Sequence, residues 1–268
     1  QFDGVTTFLR DAHSYDARTV FMVYRVNSLL QDPSMLGQLW GNYGDGVHVA
    51  IDPRPGNENG FSFDGTSNTQ GRYGLDGADY GTFESNANDD PWNYDSVQVI
   101  TAEYASDQAL TEQVLGSLVP HWSVGDHQFG GEIGEVIVYN ALLNRAQRVI
   151  VENYLSSRFS IDIASNGRDH YSFESTHKHD LAGIGQEDLS NYHARSFSGN
   201  ILGISDPDDM EDGEYLLVAH DGEGVNGWSA QGLADTAVHL QRIERVWRVD
   251  ETGDLGGVTL SVDTSLLG

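Results

Sequence analysis

The chain has 268 residues, 38% of them hydrophobic, which supplies enough apolar surface for a folded core and excludes a disordered chain. Its 41 acidic and 14 basic residues give a formal net charge of −27 at pH 7, which repels nucleic acid and favours divalent cations as partners of the surface. The absence of cysteine excludes disulfides and thiolate metal sites, and no apolar run reaches the roughly 20 residues that membrane insertion of a helix requires.

β-Strands are predicted along the whole chain, because short segments rich in β-branched and aromatic residues alternate between apolar and polar positions. In chain order these segments are Thr19–Val26, Val47–Ile51, Val97–Tyr104, Ile133–Tyr139, Glu214–His220, Leu240–Val249 and Gly257–Asp263. The clusters of Gly, Asn, Asp and Ser between them predict turns and long loops. This pattern is typical of an all-β fold made of sandwiches.

One helix is predicted over Asn144–Arg158, where apolar residues recur at helical spacing. Its first residue is a suitable N-cap, and Gln147 stands where a capping box needs it. We expect this helix to lie on the edge of the first sandwich. The polar stretch Asp162–Asp169 then predicts a domain boundary, with a first domain over residues 1–165 and a smaller β-sandwich over residues 166–268.

Several stretches resemble a family of bacterial surface proteins. The segment Phe129–Leu143, FGGEIGEVIVYNALL, resembles the closing strand of laminin-G-like, concanavalin-type jelly rolls, and Val151–Phe159 is similar to the helix that follows that strand. Three later stretches resemble the companion β-domain that follows such jelly rolls in large repetitive adhesins of the RTX type: His179–Gly185, Glu214–Gly222 and Arg242–Thr252. The first half of the chain matches loosely, through Thr19–Val26 and Leu39–Asn42.

The resemblance implies a laminin-G-like jelly roll with a companion β-sandwich, in a non-enzymatic, extracellular module of an adhesin at the bacterial cell surface. Such a module acts in attachment and biofilm formation, and its partners are neighbouring adhesin domains and cell-surface glycans. The segment Tyr104–Trp122 departs from the family pattern. An insertion or a deletion there would explain the departure, and this hypothesis predicts that Ala105 and Val114 lie close together at the surface.

Three acidic loops are predicted to bind Ca²⁺, which takes six to eight oxygen ligands in irregular geometry. The densest cluster lies within Asp206–Glu214 and offers five ligands: Asp206, Asp208, Asp209, Glu211 and Asp212. Two loops of the first half offer the others: Asp89, Asp90 and Asp95 in one, and Asp76 and Asp79 in the other. The alternatives are a solvated acidic loop, an Asx-rich turn and a glycine-rich surface loop, respectively.

A calcium-dependent lectin is the alternative function, with Trp92 and Trp228 as the ligand-binding residues. Both lie among Asp, Asn and Gly, where an indole face could stack on a sugar ring, although tryptophans serve more often in packing. A zinc site is a further candidate, at His170, His177, His179 and Asp180, against the simpler reading of exposed loop histidines.

A polysaccharide-active enzyme is the function that the sequence favours least. Glu132 and Glu135 are three apart in a predicted strand, so they are expected on opposite faces unless a bulge intervenes. Opposite faces would prevent them from acting as the carboxylate pair of a glycosidase.

Overall fold

The computed structural model describes residues 1–5, 7–33, 37–42, 48–52, 60–64, 72–76, 78–82, 93–117, 128–230 and 241–267. The chain divides into two compact units, Gln1–Leu143 and Asn144–Gly268. Both are built mainly of antiparallel strands, which confirms the prediction of an all-β protein at the level of strand content. No helix within the described ranges is long and apolar enough to cross a membrane.

The first unit contains two antiparallel sheets. Its strands are β1 (Phe2–Asp3), β2 (Leu9–Asp11), β3 (Tyr15–Val26), β4 (Gly37–Asn42), β5 (His48–Asp52), β6 (Gly60–Asp64), β7 (Arg72–Leu75), β8 (Ala78–Thr82), β9 (Val97–Leu110), β10 (Gln113–Leu115) and β11 (Gly130–Tyr139). Sheet A has the strand order β1-β11-β3-β9-β7-β8, and sheet B has the order β2-β10-β4-β5-β6.

The core of the first unit lies between these sheets. Alternate residues of β3, among them Met22 and Tyr24, share one buried cluster with Trp40 of β4 and Ile51 of β5. The rings of Trp40 and Tyr104 lie 6.5 Å apart across this core. Complete burial of such side chains stabilises the fold by about 1.5–3 kcal/mol each. Phe21 and Val23, on the other face of β3, are buried as well.

The segment after Tyr104 differs from its prediction. β9 continues to Leu110 and pairs with β3 in sheet A, whereas β10 pairs with β2 and β4 in sheet B, so the chain crosses from one sheet to the other here. Val114 is fully buried in β10 and Ala105 is exposed. The expectation that both lie at the surface is therefore wrong, because Val114 packs inside the unit.

The described residues of the second unit form one α-helix and three small sheets. Its elements are α1 (Arg145–Phe159), β12 (His179–Asp188), β13 (Asn191–His193), β14 (Arg195–Ser198), β15 (Leu202–Ser205), β16 (Glu214–His220), β17 (Trp228–Ser229), β18 (Arg242–Ile243), β19 (Trp247–Thr252) and β20 (Thr259–Val262). Sheet C has the order β13-β12-β16-β19, sheet D has the order β14-β15-β20, and β17 pairs with β18.

β16 lies at the centre of the second unit and is buried on both faces. Tyr215, Leu217 and Ala219 belong to a cluster with Ala146, Val149 and Ile150 of α1. The intervening Leu216 and Val218 belong to a second cluster, with Ile204 of β15 in sheet D. The unit therefore has three layers, α1, sheet C and sheet D, which explains why β16 reads as a nearly continuous apolar run.

The predicted helix is confirmed, and its placement is corrected. Asn144 caps α1, because its side chain accepts a hydrogen bond from the Gln147 backbone N–H at 3.0 Å. The Gln147 side chain in turn accepts a hydrogen bond from the Asn144 backbone N–H at 3.0 Å. We expected α1 on the first sandwich, but its apolar face packs on sheet C of the second unit. The compact units meet at Leu143 and Asn144, whereas the sequence predicted a boundary at residue 165.

The predicted strand Leu240–Val249 is not one strand. β18 pairs with β17, while β19 pairs with β16, and the chain bends between them. The Glu244 N–H donates to the Gly227 carbonyl at 3.1 Å and the Arg245 N–H donates to the Gly224 carbonyl at 3.2 Å. These two hydrogen bonds lie where the backbone passes from the β17–β18 pair to sheet C. Strand propensity does not predict such a passage.

Candidate functional site

The acidic loop within Asp206–Glu214 is held by its own hydrogen bonds. Asp206 has a left-handed backbone with φ +52°, and its carboxylate accepts a bond from the Ser205 hydroxyl at 2.7 Å. The Asp212 carboxylate accepts a bond from the Gln186 amide at 2.8 Å, and Glu214 accepts one from the Glu211 N–H at 2.9 Å. Part of the negative charge of this loop therefore serves to fix its conformation.

The remaining candidate ligands of that loop are Asp208, Asp209 and Glu211. Within the described ranges no hydrogen bond reaches their carboxylates, although the backbone N–H groups of Asp208 and Asp209 donate to the carbonyls of Gly257 and Leu255. No group of three or more His, Asp or Glu side chains that could hold a metal ion occurs among the described residues. The carboxylates of this loop are thus not gathered around one point.

Asp76 and Asp95, two candidate calcium ligands of the first unit, accept hydrogen bonds from distant segments of the chain. Asp76 accepts bonds from the Val99 N–H at 2.9 Å and the Gln98 amide at 3.2 Å. Asp95 accepts bonds from the N–H and hydroxyl of Ser28 at 3.2 and 2.7 Å, and the hydroxyl bond lowers the pKa of the Asp95 carboxyl. Both aspartates have left-handed backbones, with φ +48° and +61°.

Other predicted site residues lie outside what the structure describes. Asp89, Asp90 and Trp92 are not among the described residues, and only the backbone of Asp79 is described, in β8. Their predicted roles in calcium or sugar binding stay predictions.

Aspartates cap loops throughout both units, a feature that sequence reasoning missed. In each case the carboxylate accepts a bond from the backbone N–H two residues later, which is the geometry of an Asx turn. This arrangement occurs at Asp3, Asp11, Asp162, Asp169, Asp188, Asp221, Asp254 and Asp263. The signal was present in the sequence as Asp residues within turn-forming clusters, and it accounts for part of the acidic composition.

The histidines of the candidate zinc site do not converge with Asp180. His170 stacks on Tyr215 with ring centroids 4.2 Å apart, and burial lowers the His170 pKa. Asp180 instead accepts a bond from Nε2 of the buried His220 at 2.9 Å, while Nδ1 of His220 accepts the Gly222 N–H at 3.0 Å. The two bonds fix one neutral tautomer of His220 and leave neither ring nitrogen for a metal.

Trp228, a candidate sugar-binding residue, lies in β17 and is 50% exposed. An indole with this exposure is accessible to a ligand. Trp247 packs against the cluster formed by Ile184, Leu216 and their neighbours.

The two glutamates of β11 lie on one face of their strand, so the expectation of opposite faces is wrong. The pairing register of β11 on β3 shifts between Ile133 and Glu135. This shift is a β-bulge, the exception under which the two glutamates would not lie on opposite faces. Glu132 pairs with Arg25 and Glu135 with Val23, which are two residues apart and therefore on the same face. Glu132 also forms an ion pair with Arg25 at 2.7 Å.

The first unit contains a cleft that the sequence did not reveal. It has a volume of about 220 Å³ and lies where β2, β10 and β4 face β11. Its lining combines two aromatic, three polar and four aliphatic side chains: Tyr15, Trp40, Arg10, Asp11, Gln113, Leu9, Leu115, Val136 and Val138.

The interior of the cleft holds an unpartnered amide. Gln113 is 4% exposed, and its Nε2 and Oε1 atoms are both buried without a hydrogen-bond partner among the described residues. Beside it, Trp40 is buried, and burial raises the pKa of the Tyr15 hydroxyl. A buried polar group without a partner costs free energy, so this amide lowers the stability of the first unit.

The charged groups of the cleft lie at its mouth and are already paired. Arg10 forms an ion pair with Glu112. The Asp11 carboxylate contacts His13 Nδ1 at 2.5 Å, and this hydrogen bond lowers the Asp11 pKa. Leu9, at the same rim, is 59% exposed.

Comparison with known proteins gives one match. Residues 147–268 are similar to a family described as a domain of unknown function (DUF8202). The matched segment coincides with nearly all of the second unit, Asn144–Gly268, which supports that unit as an independent domain. No curated protein and no solved structure matches the chain.

Proposed function

We propose that the chain is a non-enzymatic module of a bacterial surface adhesin, a scaffold that supports ligand binding in attachment and biofilm formation. In this proposal the first unit is a laminin-G-like jelly roll, and the second is the companion domain that follows such jelly rolls. The stretches Phe129–Leu143, His179–Gly185 and Glu214–Gly222 carry the resemblance on which the assignment depends.

The observation that carries the scaffold role is the use of acidic side chains in the loops. Aspartates cap turns in both units, as Asp11 and Asp188 do by accepting the N–H two residues later. Each cap satisfies a backbone donor and restricts the loop to one conformation. Loops fixed in this way suit a module that must stay folded outside the cell and hold its neighbours at a constant spacing.

Calcium stabilisation is the second part of the proposal. The acidic side chains behind the net charge of −27 repel one another, and bound divalent cations would reduce that repulsion. Asp208, Asp209 and Glu211 are the free carboxylates of the acidic loop, and Asp89 and Asp90 belong to a second acidic segment. Because the described carboxylates are not gathered around one point, a calcium ion at residues 206–214 must draw at least two of them together.

Thermal unfolding tests the calcium part. The melting temperature of the purified chain is measured with CaCl₂, with a chelator, and with MgCl₂ at matched ionic strength. A ligand that binds only the native state raises the melting temperature, so specific sites predict a rise with calcium that magnesium does not match. Equal melting temperatures in all three conditions contradict calcium stabilisation. Asp208→Asn and Asp209→Asn together should remove the part of the rise that comes from the acidic loop.

A calcium-dependent lectin is the second candidate function, favoured by the half-exposed indole of Trp228. A glycan array separates the two functions. A scaffold binds nothing on the array, whereas a lectin of this kind binds specific glycans only with calcium and loses them in Trp228→Ala.

A further inference from the structure

We propose that His220 is a pH-sensitive switch of the second unit, and that its protonation opens the turn formed by residues 220–222 while sheet C stays folded. This turn, named the Gly222 turn after its last residue, lies where the chain leaves β16. The inference goes beyond the scaffold and lectin roles and depends on neither of them.

His220 is the last residue of β16 and is buried between two other rings. It is 3% exposed, and in the register of sheet C it lies between His179 of β12 and Trp247 of β19. The His179 ring stacks on it with centroids 5.6 Å apart, and the Trp247 ring meets it nearly edge-on at 6.0 Å. Little water can reach the imidazole, so a positive charge on it is costly.

The two ring nitrogens of His220 form hydrogen bonds of opposite sense. Nδ1 accepts the backbone N–H of Gly222 at 3.0 Å, and Nε2 lies 2.9 Å from the Asp180 carboxylate, to which it donates. Only the neutral imidazole can accept at one nitrogen and donate at the other. Protonation places a hydrogen on Nδ1 against the Gly222 N–H, so two donors then face each other and the bond that closes the turn is lost.

The charged groups around the imidazole do not reverse this effect. Among the described residues they are Asp180 and His179 of β12 and Arg245, two residues before β19. Asp180 favours the charged ring, but its side chain is 52% exposed and water screens its attraction. Burial has the largest effect, and together with Arg245 and His179 it lowers the pKa of His220.

The direction of the switch follows from this lowered pKa. With the turn closed, His220 binds a proton less readily than an ordinary histidine, whose pKa is about 6.5. With the turn open, the ring is no longer held against the Gly222 N–H and binds a proton more readily. Protons therefore favour the open form, so the turn is closed at neutral pH and opens as the pH falls below about 6.5.

The Gly222 turn also joins two segments of the chain. The Asp221 N–H donates to the Val246 carbonyl at 3.1 Å, and the Asp221 carboxylate accepts the Val246 N–H at 3.2 Å. Nε of Arg245 donates to the Glu223 carbonyl at 2.7 Å. These bonds connect the chain that leaves β16 to the chain that enters β19. Opening of the turn displaces Asp221 and Glu223 and releases this connection.

An NMR titration of the full ¹⁵N-labelled chain from pH 8 to pH 4.5 tests the switch. Long-range ¹H–¹⁵N correlations report the tautomer and charge of His220, and hydrogen-exchange protection factors report the amides of Gly222 and Val246. At pH 7.5 the His220 hydrogen should be on Nε2 and both amides should be protected. At lower pH both should lose about tenfold or more in protection at the midpoint of the His220 titration, while Leu217 in β16 stays protected.

Substitutions then identify the group that drives the opening. His220→Asn keeps an oxygen that can accept the Gly222 N–H and has no group that titrates in this range, so the turn should stay closed at pH 5. Asp180→Asn removes the charge that favours the protonated ring, so the midpoint should move to lower pH. His179→Gln is the matched control, because the His179 ring packs on Gly222 without accepting its N–H, and the response should persist.

Four results would overturn the inference. A hydrogen on Nδ1 of His220 at pH 7.5 removes the acceptor on which the switch depends. A Gly222 amide that stays protected down to pH 4.5 shows that the turn does not open. Loss of the response in His179→Gln assigns it to the other histidine. Loss of Leu217 protection at the same midpoint means that the second unit unfolds as a whole. None of these results bears on the adhesin proposal, which calcium-dependent unfolding and attachment test separately.

Discussion

Truncation of two neighbouring leucines in β16 tests the three-layer arrangement of the second unit. Leu217 faces α1 and Leu216 faces sheet D. Their exposures are 0% and 6%, so both side chains are in the core. In a plain two-sheet sandwich, neighbours on a strand point to opposite faces and one of them would meet solvent.

The expected loss is similar at both positions. A buried Leu→Ala change costs about 2–5 kcal/mol through lost burial and the cavity left behind. About 3 kcal/mol should lower the melting temperature of the second unit by roughly 10 °C. Leu189→Ala is the matched control, because that side chain is 86% exposed and its loss should cost less than about 0.5 kcal/mol.

Differential scanning calorimetry of the full chain measures this loss. Leu216→Ala and Leu217→Ala should each shift the transition of the second unit and leave that of the first unit in place. If one of the two leucines behaves like Leu189, then β16 is covered on only one face, and the three-layer description is refuted.

Three further predictions concern the second unit. Asn144→Ala should cost about 1 kcal/mol by removing the cap of α1, measured by denaturant unfolding against Asn144→Ser as a control that keeps a capping side chain. Glu152→Ala should lower the free energy of unfolding by about 3–5 kcal/mol, because it removes an ion-pair partner of Arg168, whose side chain is only 6% exposed. A loss below about 1 kcal/mol contradicts the buried pair. Burial lowers the pKa values of His170 and His220 in the folded chain, so the unfolded chain binds protons at these histidines first as the pH drops. The free energy of unfolding should therefore fall below about pH 6.5. A melting temperature that stays constant between pH 7.5 and pH 5 argues against neutral, buried histidines.

The fold was predictable where local chemistry decides it. The strands β3 and β16 follow from short runs of apolar residues rich in β-branched and aromatic side chains, and the capped start of α1 at Asn144 follows from a capping box. The position of α1 was not predictable, because its apolar face could pack on either of the sheets that flank it in sequence. Only tertiary contacts, such as that of Val149 with the cluster around Leu217, decide between them.

The cleft was not predictable because it is assembled from distant, short segments. β10 has three residues, Gln113–Leu115, too few to show a period, and its partners are β2 and β4 far upstream. Gln113 resembles any polar residue of a turn until these pairings bury it. The bulge between Ile133 and Glu135 was unpredictable for the same reason. It changes the strand face on which Glu135 lies relative to Glu132, and it depends on the pairing of β11 with β3.

The acidic residues show how one composition supports two interpretations. Carboxylates in glycine-rich loops suit calcium, but the same residues can accept hydrogen bonds from the backbone, and Asp76 and Asp95 do so from distant segments of the chain. A carboxylate that accepts a backbone N–H retains lone pairs for a cation, so the two roles are compatible. The count of acidic residues alone therefore does not separate a metal site from a cap.

Attachment of the encoding organism tests the adhesin proposal most directly. Residues 1–268 are deleted in frame from the gene, surface display of the remaining protein is verified with an antibody, and attached cells are counted under flow with and without a chelator. The proposal predicts weaker attachment and thinner biofilm in the deletion strain, restored when the coding segment is returned. Unchanged attachment with normal surface display would contradict it.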